Sequence, residues 1–116
     1  MAAEVKGNPY TTVYYVTKRI SETLAREKSM PLKKFVAIIT DRYAGNQLMH
    51  GVDKDTAEKA AAEQTQKWLS AAGATADTTI TKEQVDIISK LCWKESGVLV
   101  NTRFAAAMAA QTTKET

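Results

Sequence analysis

The chain has 116 residues, 44% of them hydrophobic and 25% charged, with a formal net charge of +3. That is the profile of one globular domain, large enough to form a core without disulfides or a structural metal. The single cysteine, Cys92, excludes an internal disulfide and fits a reducing compartment, and no stretch approaches the roughly 18 apolar residues of a membrane span or the apolar run of a signal peptide, so a cytoplasmic protein with no membrane partner is expected.

Asn8-Pro9 opens the first element, with Asn suited to the N-cap and Pro tolerated in the first turn. Tyr10, Val13, Tyr14, Thr17, Ile20 and Leu24 then recur at spacings of three and four, which predicts a helix from about Pro9 to Glu27. Ser29 reads as the cap of a second helix with Pro31 in its first turn and Leu32, Phe35, Val36, Ile39 and Tyr43 on one side. Gly45 can end that helix, and residues 46–52 read as a loop. Asp55-Thr56-Ala57-Glu58 has the form of a capping box. A third helix follows to Ala72, stopped by Gly73, its stripe of Ala57, Ala61, Gln64, Trp68 and Ala72 placing Trp68 in the core. Thr81-Lys82-Glu83-Gln84 starts a fourth helix that buries Val85, Ile88, Leu91 and Cys92 and ends near Glu95, before Gly97. The alanine-rich segment after Phe104 outweighs the strand propensity of Val98-Leu99-Val100 and predicts a fifth helix from about Val98 to Gln111.

The expected fold is therefore all-α, a small compact bundle of about five helices in a single domain over 1–116, with short flexible termini at about 1–7 and 112–116. Helix content should be about 65–75%, far above the average for globular proteins. The alternative is α+β, with strands near 11–17 and 34–40, where β-branched and aromatic residues cluster. The helical stripes run through and beyond both segments, and this favours helix. No internal repeat is visible.

No catalytic constellation emerges, and an enzyme is not expected. His50 is the only histidine and falls in the predicted loop without an orienting partner. Cys92 lies on an apolar stripe, where a thiol is inert. One histidine and one cysteine do not make a zinc site within one chain unless carboxylates complete it. Asp53-Lys54-Asp55 lacks the glycine and the closing glutamate of a calcium loop, and no glycine-rich phosphate loop is present. No cofactor, metal or small-molecule substrate is implied. Glu22 with Arg26, and Glu63 with Lys67, are spaced as exposed i,i+4 ion pairs.

Charge is unevenly spread: residues 1–43 hold eight Lys/Arg against four acids, and the remainder eight against nine. Tyr15, Arg19, Glu22 and Arg26 point away from the first helix's stripe, so Tyr15 either covers the aliphatic part of Arg19 or stacks on a base or partner side chain. Ile38 lies off the stripe of the second helix, which makes that helix central or makes Ile38 part of a partner surface. Trp93 lies off the stripe of the fourth helix, where it is either covered by the fifth through Phe104 or Met108 or serves as an interface anchor. Two functions follow. The leading expectation is a non-catalytic protein-interaction or assembly module, docking through Trp93 or Ile38 on another protein or on its own copies. The alternative is a basic, largely sequence-indifferent nucleic-acid-binding module using Tyr15, Arg19, Arg26, Lys33 and Lys34.

Overall fold

The structure, a computed structural model, describes residues 8–74 and 78–115, with side chains described as far as Val98. Among them are four helices and two short strands, in the order α1 (Pro9–Glu27), β1 (Ser29–Pro31), α2 (Leu32–Met49), α3 (Lys54–Ala71), β2 (Thr79–Thr81) and α4 (Lys82–Glu115). The helical fold class holds, and residues 11–17 and 34–40 are both helical, so the strand alternative fails. Periodic burial over four or more turns outweighs local β-propensity there.

The helix ends show where local signals suffice. α1 spans the expected residues, with Asn8 Oδ1 accepting from the Tyr10 N–H at 3.0 Å. At α4 the predicted capping box forms: Thr81 Oγ1 accepts from the Gln84 N–H at 3.3 Å, and Gln84 Oε1 from the Thr81 N–H at 2.9 Å. The third helix also has an aspartate cap, but it is Asp53 rather than Asp55, accepting from the Thr56 N–H at 3.1 Å. Gly45 does not end α2. The helix continues to Met49 and closes at Gly51, whose φ is +89°, with the Val52 N–H returning to the Gln47 carbonyl at 3.1 Å. α3 closes in the same way at Gly73, φ +69°, with Ala74 N–H bonded to the Leu69 carbonyl at 2.9 Å. These are the paired bonds of a glycine C-cap.

Two expectations fail for tertiary reasons. Ser29 does not cap α2, because residues 29–31 pair antiparallel with residues 79–81, in the register Ser29↔Thr81, Met30↔Ile80 and Pro31↔Thr79. The first N–H of α2, on Leu32, is satisfied by the Thr78 carbonyl at 2.9 Å, across the chain rather than by a local cap. The fourth and fifth helices are one element of 34 residues, with Gly97 inside it, running past the expected end at Gln111. The expected flexible segment 1–7 lies outside the described residues.

The strand pair joins two helix–strand–helix units, α1–β1–α2 and α3–β2–α4. The most extensive contacts are α1 with α4 and α2 with α3, while α3 and α4 touch less. α1 and α4 are antiparallel: Thr11 meets Ser96, Tyr14 meets Trp93 and Ser21 bonds Asp86, one position retreating as the other advances. Asn8 Nδ2 donates to the Ser96 Oγ and carbonyl at 3.0 and 3.2 Å, so the buried cap also ties α1 to α4.

The core runs between the units. Val13, Ile20 and Leu24 of α1, Phe35, Ile39 and Tyr43 of α2, Ile80, and Val85, Ile88 and Cys92 of α4 are buried together around Trp68. Tyr10, Tyr43 and Trp68 meet edge to face, with ring centroids 5.9–6.1 Å apart, geometry worth about 0.5–1.5 kcal/mol per pair beyond area burial. No helix among the described residues is long and apolar enough to cross a membrane.

Candidate functional site: an aromatic and basic face on the first helix

Burying Val13, Thr17, Ile20, Ser21 and Leu24 leaves the opposite side of α1 outside the core, with Tyr15, Lys18, Arg19, Glu22 and Arg26 exposed. Trp93 is 55% exposed, because α4 continues straight and brings no later helix back over it. The covering by Phe104 or Met108 considered from the sequence fails for that reason: both residues belong to the same helix, three to four turns further along.

The exposed aromatics are connected. Trp93 lies against Tyr14, ring centroids 4.7 Å apart at 42°, and Tyr14 meets Tyr15 at 5.2 Å and 71°. Tyr14 is half-buried and bridges two rings that both face outward, Tyr15 at 59% exposure. Trp93, Tyr14 and Tyr15 thus form an aromatic band from α4 across to the outer side of α1.

Tyr15 also marks one end of a groove between α1 and α2 of about 530 Å³. Val16, Ile20 and half-buried Ile38 supply its apolar part, and Lys18, Arg19, Glu22 and Arg42 its charged part. Ile38 packs against the core and also lines this groove, so both readings of its off-stripe position apply. The structure therefore brings Tyr15, Arg19 and Ile38 into one place and connects them to Trp93. Arg26 continues the α1 face two turns beyond Arg19, and Lys34, Ile38 and Arg42 share one face of α2 at i, i+4 and i+8. Lys33 does not join them. It lines a separate groove between α2 and α3, with Val36, Ala37 and Thr65.

Ion pairing leaves the site's cations open. Among the described residues the pair within bonding distance is Lys82–Asp86 at 3.8 Å. The expected pairs Glu22–Arg26 and Glu63–Lys67 do not close, consistent with the small gain of an exposed pair against the entropy of holding two long side chains.

Tyr14, Lys18 and Arg42 were not singled out from the sequence. Tyr14 reads as core from its stripe. Lys18 and Arg42 carry no signal until α1 and α2 lie side by side, although the i, i+4, i+8 series through Ile38 marks the α2 face.

A further polar cluster lies between α3 and α4. Tyr10 Oη donates to Gln64 Oε1 at 3.4 Å, and Gln64 Nε2 donates to Glu95 Oε2 at 3.3 Å, beside Lys67 and Lys94. Burial and the neighbouring Tyr43 raise the Tyr10 hydroxyl pKa far above its ordinary value. Cys92 is buried, and desolvation with nearby Glu95 likewise raises its thiol pKa, so the reactive thiolate is suppressed at neutral pH. His50 is exposed at the end of α2. Among the described residues no three His, Cys, Asp or Glu side chains come together as a group able to hold a metal ion.

Compared with known proteins, the chain matches no protein-family model, no curated protein and no solved structure.

Proposed function

We propose that this chain is a non-catalytic protein-interaction module that binds through the face built on α1. The observation that carries the reading is the continuity of Trp93, Tyr14 and Tyr15 with the groove containing Ile38 and Arg19. Tryptophan, tyrosine and arginine dominate the binding energy of protein interfaces. The side chains available for acid–base or nucleophilic work point the other way: the cysteine is buried and the exposed histidine stands at a helix end.

A second reading has one observation in its favour. Exposed Tyr15 beside Lys18, Arg19 and Arg42, with exposed Trp93 joined to it through Tyr14, combines stacking surfaces with phosphate-binding cations, as in sequence-indifferent single-strand binders. Glu22 in the same groove weakens it.

The test is capture of the partner from the native source by the immobilised chain and by a Tyr15→Ala, Trp93→Ala variant, with sedimentation of the free chain to detect self-association. Binding should weaken by about 2 kcal/mol or more, roughly thirtyfold, in the double variant. Unchanged capture by that variant, or loss of all retained material after nuclease treatment, would overturn the reading.

A further inference from the structure

We propose that the groove between α1 and α2 receives an acidic amphipathic segment of a partner protein, with an aliphatic or aromatic side chain resting on Ile38 and carboxylates meeting Arg19 and Arg42. The assignment rests on reading the chain as a protein-binding module and names the chemistry of what it binds.

Three features carry it. First, the groove has an apolar interior with cations around it: Val16, Ile20 and Ile38 within, Lys18 and Arg19 on α1, Arg42 on α2. At about 530 Å³ it is more than three times the volume that encloses a benzene ring, about 150 Å³. Large side chains therefore fit.

Second, none of these cations has a carboxylate at ion-pair distance among the described residues, so an incoming acid displaces no existing partner. Guanidinium groups beside an apolar floor favour carboxylates, which they hold through two parallel hydrogen bonds, and each bond strengthens as the docked apolar side chain excludes water.

Third, the dimensions select a short structured segment. Tyr15, Lys18, Arg19 and Glu22 are spaced i, i+3, i+4 and i+7, about two turns or roughly 10 Å of helix. A partner helix laid along it presents an apolar stripe to the groove and acids on the flanking positions. Glu22 makes one end unfavourable for acid, so the segment's carboxylates gather toward Tyr15 and Arg42. The same Glu22 opposes a nucleic-acid backbone, whose charge repeats without a gap.

The test uses the full chain and a fluorescein-labelled peptide of about eleven residues, three helical turns, with leucines at i, i+3 and i+7 and glutamates on the flanking positions. Matched probes replace all glutamates by glutamine, replace the leucines by alanine, or substitute a single-stranded oligonucleotide. Anisotropy should show saturable binding of the acidic peptide below about 100 µM, at least tenfold weaker for both altered peptides. Arg19→Glu with Arg42→Glu should reduce binding tenfold or more while leaving the far-ultraviolet spectrum unchanged, and raising salt from about 50 to 200 mM should weaken it. Three results would overturn the assignment: no binding of the acidic peptide, binding indifferent to the arginine reversals, or tighter binding of the oligonucleotide through the same arginines. Failure here, with partner capture still lost in the Tyr15→Ala, Trp93→Ala variant, refutes the groove assignment and leaves the interaction module standing. Failure of both refutes the module.

Discussion

Tyr10 and Cys92 are expected to make the core respond to high pH. Burial raises both pKa values in the folded chain above their ordinary 10.0 and 9.0, and Tyr43 and Glu95 respectively add to the effect. The unfolded chain releases both protons at the ordinary values, so above them the native state binds more protons than the unfolded state. Stability then falls as pH rises. The urea midpoint is expected to be level between about pH 7 and 8.5 and to fall steadily from about pH 9 to 11. Tyr10→Phe combined with Cys92→Ala should flatten that decline, and an unchanged decline in the double variant would show that other groups cause it. The two tryptophans mark the opposite extremes of burial. Trp68 is 1% exposed among edge-to-face tyrosines and Trp93 is 55% exposed. Helical spacing puts one on its stripe and one off it, and the uninterrupted course of α4 leaves the second uncovered.

At the scale of the elements, the described glycines divide by backbone conformation rather than by sequence context. Gly51 and Gly73 have φ of +89° and +69°, which an L side chain rarely adopts, and they close α2 and α3. Gly45 and Gly97 lie inside helices, and a Cβ at either would meet nothing within 4 Å. Gly97→Ala should therefore raise stability by about 0.5–1 kcal/mol, because glycine in a helix interior forfeits that much relative to alanine. Gly51→Ala should lower it by about 1–2 kcal/mol, the cost of a left-handed residue bearing a Cβ. Equilibrium urea unfolding of the two variants checks both signs, and a destabilising Gly97→Ala would show that α4 breaks there. Among the described residues Lys28 is the non-glycine exception, at φ 72°, where α1 turns into β1. The strained turn permits a connection of four residues, 28–31, which brings α2 back along α1 and so forms the groove.

The whole molecule is elongated, with extents of 57 × 27 × 21 Å. α4 accounts for the long axis, since 34 residues span about 51 Å and its contact with α1 reaches Ser96, level with Asn8. The Cα radius of gyration is 16.1 Å, against about 13 Å for a compact chain near this length. Small-angle scattering of the monomer should return that larger value and an elongated distance distribution. A radius near 13 Å would mean that the far end of α4 folds back onto the body.

The sequence by itself determined the helical class, the bounds of α1, the capping box of α4, the glycine stop of α3 and the burial of Trp68 on its stripe. All of these depend on spacings of three to five residues and on local capping chemistry, which one segment contains in full. Only the tertiary structure decided the strand pair, because Met30 and Ile80 are fifty positions apart and three-residue strands carry no alternation to read. It also decided that Gly97 does not interrupt α4, since a glycine can end a helix or sit within one. The same holds for the face. Tyr15 and Trp93 stand out singly by helical periodicity, but Tyr14 joins them only where α1 and α4 run antiparallel. Arg42 and Arg19 share a groove only where α2 returns along α1, and Lys33, next to Lys34 in sequence, falls to the other side of the helix by the 100° that separates neighbouring residues.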